Sequence, residues 1–342
     1  MILVQLPRPH LLFLGDITEL AYAKTAFGLR DWAPEHCMAE FALPGGPSLG
    51  LPRLTPREAK AAGAQSLLIG VANPGGVIPE TWLPTLLEAV ESGLDVVSGM
   101  HAKLNAITAL AAMAEACGRR LIDVRTPPQG IPIASGKKRS GRRLLTVGTD
   151  CALGKKYTAL ALTRALKARG EHADFRATGQ TGIMIAGAGV PMDAVVADFA
   201  AGAVELLSPA NRDDHWDVIE GQGSLSHPAY AGVSLALLHG SQPDVVVLCH
   251  DPTRTTVLGY SDYPLPSLSE AIDLVLRLGA RTNPAIRCAG VAMNTSRLEE
   301  ADANALMAET SASLNLPVAD PIRAGVRFEA LVDAVLGAPG AR

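Results

Sequence analysis

One ten-residue stretch, VGTDCALGKK at 147–156, constrains this chain more than any other. Residues 144–147 before it form an apolar run of strand character, and 157–169 after it have helical periodicity. A strand, a glycine turn and a helix start make an anion site, because backbone N–H groups and the positive end of the helix dipole face the ligand. The candidate phosphate-binding residues are therefore Gly148, Thr149, Asp150, Cys151, Ala152, Leu153, Gly154, Lys155, Lys156 and Tyr157, with Lys155 adding a point charge. One part departs from the usual motif. Lys156 stands where phosphate loops carry the Ser or Thr whose hydroxyl ligates magnesium. The loop reads as a diphosphate grip without that metal ligand, so no metal is expected to be strictly required. Thr149 and Thr158 are the hydroxyls that could substitute.

The rest of the chain sets the context. Its 342 residues suggest two domains of roughly 100–200 residues each. With 48% hydrophobic and 19% charged residues, it can bury sizeable cores. The net charge of −4 and the lack of a long basic block argue against nucleic acid as the main partner. Five cysteines (Cys37, Cys117, Cys151, Cys249, Cys288) are widely spaced and odd in number, which fits reduced thiols in the cytoplasm rather than a disulfide framework. No cleavable apolar leader is evident, and no apolar run approaches the ~20 residues that span a bilayer. A soluble cytoplasmic protein without a membrane partner is expected. Base rates for symmetric assemblies suggest a homo-oligomer, a dimer first.

Short apolar runs alternate with amphipathic stretches from end to end. Strands are expected at 10–14, 37–43, 66–71, 95–99 and 121–124, with helices at 19–28, 56–62, 81–92 and 104–117. This is the βαβα pattern of a parallel sheet covered on both faces. Residues 131–143, rich in Pro, Gly and basic side chains, read as a linker between a domain at 1–130 and another at 144–342. The second domain opens on the loop strand. It continues with strands at 172–177, 216–220, 244–250, 289–294 and 317–319, and helices at 155–169, 194–207, 267–278, 298–313 and 327–336. The predicted class is α/β throughout. A strand–loop–helix opening a parallel α/β domain is the architecture of P-loop nucleotide-binding proteins.

Other candidate residues end predicted strands, where ligands of open α/β sheets bind. Glu220, in DVIEGQG, belongs beside the phosphate loop and suits either a surface carboxylate or a general base. Gln180, Thr181 and Gly182 follow another strand in a small-residue segment that suits a substrate-binding loop. Arg254 can clamp a carboxylate or phosphate bidentately, or form an ordinary ion pair. Asn294 lies where P-loop folds often recognise a base or nucleoside. His227 is a weaker candidate, since a lone histidine is more often structural. The chain lacks GxGxxG, GxSxG, HExxH and CxxC, so serine-hydrolase and zinc-enzyme chemistry lack support.

The loop's longer glycine spacing resembles that of dethiobiotin synthetase and related P-loop enzymes. More broadly, five segments resemble one bacterial family. They are GDITELAYAKTAFGL near the start, SGMHAKL at 98–104, VGTDCALGKK, TGQTGIMIAGAGVPMDAVVADFAAGAVELL at 178–207 and EGQGSLSHPAY at 220–230. That family was long labelled a domain of unknown function, and some members are described as D-glutamate N-acetyltransferases. The resemblance implies a Rossmann-like N-terminal domain, a P-loop C-terminal domain, and acetyl transfer from acetyl-CoA to the amine of D-glutamate.

The residues fit that expectation physically. Coenzyme A carries phosphates that need not be cleaved, whereas NTP hydrolysis usually needs a metal to offset developing charge. The expected roles are Glu220 as base with His227 or Asp150 behind it, Gly182 or Gly221 N–H groups for the oxyanion, and Arg254 for the substrate carboxylate. An acyl-carrier role for Cys151 or Cys249 is disfavoured. Two other classes stand as alternatives, an ATP-dependent ligase or kinase and a non-catalytic nucleotide-binding regulator.

Overall fold

The structure, a computed structural model, describes residues 6–337. These divide into two compact units: residues 6–127 with 179–194, and 128–178 with 195–337. The division is not the single cut expected near 130. Residues 179–194, sequestered inside the second half of the sequence, pack with the first unit.

In the first unit, β1 (His10–Gly15), β2 (Cys37–Ala42), β3 (Ser66–Ile69), β4 (Asp95–Ser98) and β5 (Leu121–Asp123) form a parallel sheet in the order β2-β1-β3-β4-β5. Helices α1 (Lys24–Trp32), α2 (Pro56–Ala61), α3 (Leu83–Glu91) and α4 (Thr108–Ala116) connect them. Leu11, Leu12, Phe13, Leu67, Leu68, Val96 and Val97 are fully buried, as expected of strands covered on both faces. Thr55 and Glu58 make a reciprocal cap that starts α2 at its proline.

His10 is a buried ring in this core. Its Nδ1 lies 2.7 Å from Ser66 Oγ, and Ser66 Oγ donates to the Pro7 carbonyl. Nδ1 must therefore be the donor, and Nε2 is left buried without a partner. Burial, with Arg8 nearby, pushes the ring's pKa down to about 3. Unfolding returns it to about 6.5, so the unfolded chain binds the extra proton first. The stability due to neutral His10 is thus present above pH 6.5 and is lost as pH falls from 6.5 toward 3, by up to roughly 5 kcal/mol. A denaturation midpoint measured across that window should drop, and should drop less in His10→Asn, which keeps the donor and removes the titration. Equal slopes in the two proteins would assign the effect to other groups.

The second unit contains a parallel sheet in the order β13-β12-β9-β6-β8-β7. Its strands are β6 (Arg142–Gly148), β7 (His172–Arg176), β8 (His215–Ile219), β9 (Val245–His250), β12 (Arg287–Met293) and β13 (Val318–Ala319). A separate antiparallel pair, β10 (Thr256–Val257) and β11 (Tyr260–Pro264), follows β9. Helix α5 (Lys155–Ala168) leaves β6 through the phosphate loop. Helix α6 (Gln180–Ala186) lies in the segment given to the first unit. Then come α7 (Ala200–Leu207), α8 (Ala231–Ser241), α9 (Leu268–Gly279), α10 (Glu300–Leu314) and α11 (Val326–Leu336). Leu248 packs with residues of α9 and α10, while its neighbour Cys249 meets Thr158 of α5. Successive strand residues point to opposite faces, so the helices cover both sides of the sheet. Among the described residues, no helix is long and apolar enough to cross a membrane.

The segment read as a linker is fixed to this second unit by its own polar groups. Arg143 is fully buried and donates to the carbonyls of Arg139, Ser140 and Pro209, while Arg139 donates to those of Ser208 and Gly240. These two guanidinium groups satisfy irregular backbone that the sheet cannot.

Candidate functional site

Strand β6 sits between β9 and β8, so the loop it feeds opens at the middle of the sheet's carboxyl edge. Glu220 follows β8 on one side, and His250 ends β9 on the other. Gly154 turns the loop into α5 at φ +107°, a conformation that L side chains rarely adopt. It offers no side-chain cap, so the positive end of a 14-residue helix faces the loop. Gly221 matters for a different reason. A Cβ there would collide with the Thr146 carbonyl oxygen, and would lie 3.1 Å from Lys155 Cδ. The glycine after Glu220 thus lets β8's exit run against β6 and the stem of Lys155.

Lys155 is buried beneath the loop, and its ammonium donates to the Asp150 carbonyl at 2.7 Å. Desolvation pushes its pKa down, opposed by the charge of the nearby Asp150 carboxylate. A phosphate would replace a neutral carbonyl as partner and restore a full counter-charge. Lys156 lies over the Tyr157 ring, 5.1 Å from its centroid.

Asp150 and Arg254 come together, in a role the sequence did not reveal. Asp150 is fully buried and accepts from Arg254 Nη1 at 3.1 Å and from the Leu258 N–H at 2.9 Å. Arg254 also donates to the carbonyls of Cys151 at 2.7 Å and Ala152 at 3.1 Å. The pair holds the loop in shape. Asp150 is committed to Arg254 rather than poised as a base. Arg254 cannot clamp a substrate carboxylate through both arms without releasing the loop.

His227 is buried, with Nδ1 accepting the Ala229 N–H at 3.0 Å. The proton of the neutral ring therefore sits on Nε2, which faces Asp150 Oδ1 at 4.0 Å. In this tautomer His227 donates and does not serve as a base. Ligand atoms of Asp150, Cys151 and His227 lie within 4.8 Å of one another, the set among the described residues that could hold a metal. The guanidinium on Asp150 already supplies the positive charge a cation would bring. Burial raises the Cys249 thiol to about 11, which keeps it protonated and unsuited to carrying an acyl group.

Glu220 is 4% exposed. Its Oε2 accepts the Thr178 N–H at 2.9 Å, and its carbonyl accepts the Thr178 hydroxyl at 2.7 Å. Beside it a cavity of about 20 Å³ is lined by Thr146, Gly148, Gln222, Ser224, Ser234 and neighbouring residues. The Gln222 amide donates to Thr178 Oγ1 at 3.0 Å, a neighbour of Glu220 that sequence reasoning did not single out. Asn294 follows β12, and its side-chain oxygen accepts the Ser296 N–H.

Gln180, Thr181 and Gly182 form the first turn of α6 and are buried in the first unit. Thr181 Oγ1 lies 3.0 Å from Thr25 Oγ1, and the Gln180 amide is oriented to donate to the Gly99 carbonyl and accept from Arg125. Their described contacts are packing contacts within that unit.

A phosphate loop at the centre of a parallel sheet, in a chain that also builds a second five-stranded parallel sheet, defines a two-domain α/β protein of the P-loop class. Residues 132–332 match the P-loop domain, and 37–127 the Rossmann-like domain, of DUF1611, both described as domains of unknown function. The chain belongs to the DUF1611 family. A protein of Tritonibacter scottomollicae named D-glutamate N-acetyltransferase is 53% identical, covering 96% of this chain and 98% of its own length. One of Pseudoalteromonas sp. with the same name is 45% identical, covering 94% and 98%. A crystal structure of a DUF1611 family protein from Anabaena variabilis aligns with a TM-score of 0.86 at 35% identity, over 96% of this chain and 99% of that one. The chain is an enzyme of the acetyltransferase class.

Proposed function

We propose that the chain transfers an acetyl group from acetyl-CoA to the amine of D-glutamate. The observation that carries this reading is the loop itself, an uncapped helix start over a buried Lys155, with Lys156 in the metal-ligating position and Glu220 at the next strand end. Such a cradle suits phosphates that are held rather than cleaved. The two relatives named D-glutamate N-acetyltransferase support the acceptor.

Glu220 takes a proton from the ammonium of the acceptor, and the freed amine attacks the thioester carbonyl. The C–S bond breaks, and coenzyme A leaves as the thiol after regaining a proton. The products are N-acetyl-D-glutamate and coenzyme A.

The test is release of free thiol from acetyl-CoA with a panel of D- and L-amino acids, with and without EDTA. Turnover with D-glutamate that survives the chelator is the expected result. Magnesium-dependent release of ADP from ATP, without thiol release, would overturn it in favour of a ligase or kinase.

A further inference from the structure

Four rings run in contact beside the phosphate loop. Tyr230 lies on His227 with centroids 4.5 Å apart, His227 meets Tyr260 at 5.2 Å, and Tyr260 meets Tyr263 at 6.0 Å. His227 is buried, but Tyr230, Tyr260 and Tyr263 are 52%, 38% and 50% exposed, and Leu258 is 53% exposed. All of β11 is exposed. A two-stranded hairpin of this size gains little from its own packing. Polar tethers hold its turn and its start instead. Leu258 donates to Asp150 inside the loop, and Arg254, just ahead of β10, binds the loop carbonyls.

An exposed aromatic patch calls for an occupant, and continuity with the loop identifies one. The hairpin is tied to the residue around which the phosphate loop is folded, so whatever holds phosphates there lies next to these rings. Tyr260 and Tyr263 stand at an interplanar angle of 89°. They form a corner in which a planar ring stacked on one meets the other edge-on, the two favoured aromatic geometries. π-Faces beside an anion cradle match a ligand carrying a purine on a diphosphate. We propose that Tyr260 and Tyr263 form a shelf for the adenine of the acyl donor while residues 148–155 hold its diphosphate. This rests on the acetyl-CoA reading above and adds to it a second point of recognition, remote from the thioester.

The test compares acetyl-CoA with acetyl-pantetheine, which keeps the thioester and lacks the nucleotide. In the Tyr260→Ala/Tyr263→Ala double variant, the ratio of kcat/KM for acetyl-CoA over acetyl-pantetheine should fall about tenfold or more. The Tyr260→Phe/Tyr263→Phe variant should keep the ratio within about twofold, because stacking does not need the hydroxyls. Binding of adenosine 3′,5′-bisphosphate, measured by calorimetry, should weaken by a similar factor in the alanine variant only. That measurement needs no turnover, so it separates failure of the shelf from failure of the acetyltransferase reading. An unchanged ratio with unchanged bisphosphate binding overturns the proposal. So does loss of a dimer in the alanine variant with the ratio intact, which would make the hairpin a contact between copies of the chain.

Discussion

Glu220→Gln should lower kcat with D-glutamate by about 10²–10⁴, the usual contribution of a positioned general base, and should leave the KM for acetyl-CoA within a few fold. The substitution is isosteric. The glutamine oxygen can still accept the Thr178 N–H, so Glu220's place at the end of β8 is kept and only its capacity to take a proton is removed. The split between kcat and KM is informative, because a structural defect at this buried position would damage both. Full activity in the variant would show that another group accepts the proton. Asp150 is bound to Arg254 and His227 presents an N–H, so a base would then have to be sought outside the loop cluster.

The second large effect concerns the cation under the loop. Lys155→Met should raise the KM for acetyl-CoA by roughly 10–100-fold, the loss expected for a hydrogen bond to a charged group. Methionine is the better probe than alanine, because the stem of Lys155 runs past Gly221 in a buried position, and a truncated side chain would leave a void there. The Asp150 carbonyl loses its partner in this variant, so thermal stability should be measured alongside. If acetyl-CoA binds the variant as tightly as the parent protein, the loop is not the donor site.

The sheet strands and the phosphate loop were legible because short apolar runs bounded by glycine and proline leave few alternatives. Expected and observed strands agree to within a residue or two at each end. Other elements were not legible, for physical reasons. Helix α8, AGVSLALLHGS, has no polar stripe, because it lies between α7 and α9 and buries Leu237, Leu238, Gly240 and Ser241. Helix α6 was hidden by its glycine and small residues, which serve close packing in the first unit rather than a mobile loop. The β10–β11 pair is too short and too exposed to show alternation.

At the site, Glu220 and Lys155 were visible from their positions after strand and loop. The pairing of Arg254 with Asp150 was not, since it joins residues 104 apart in sequence. The tautomer of His227 depends on one backbone N–H, and Gly221 on a carbonyl of the neighbouring strand. Contacts of this kind leave no local pattern.

The route of the backbone carries a consequence for how such a protein can change. Among the described residues the chain passes from one unit to the other three times, after 127, 178 and 194. Neither unit is therefore a continuous stretch of sequence. A fragment ending at 127 would lack the buried side chains of 180–184, and a fragment beginning at 128 would carry them with nothing of their own unit to cover them. A single cut near 127 therefore does not release two intact modules, because it leaves residues 179–194 of the first unit on the fragment that carries the phosphate loop.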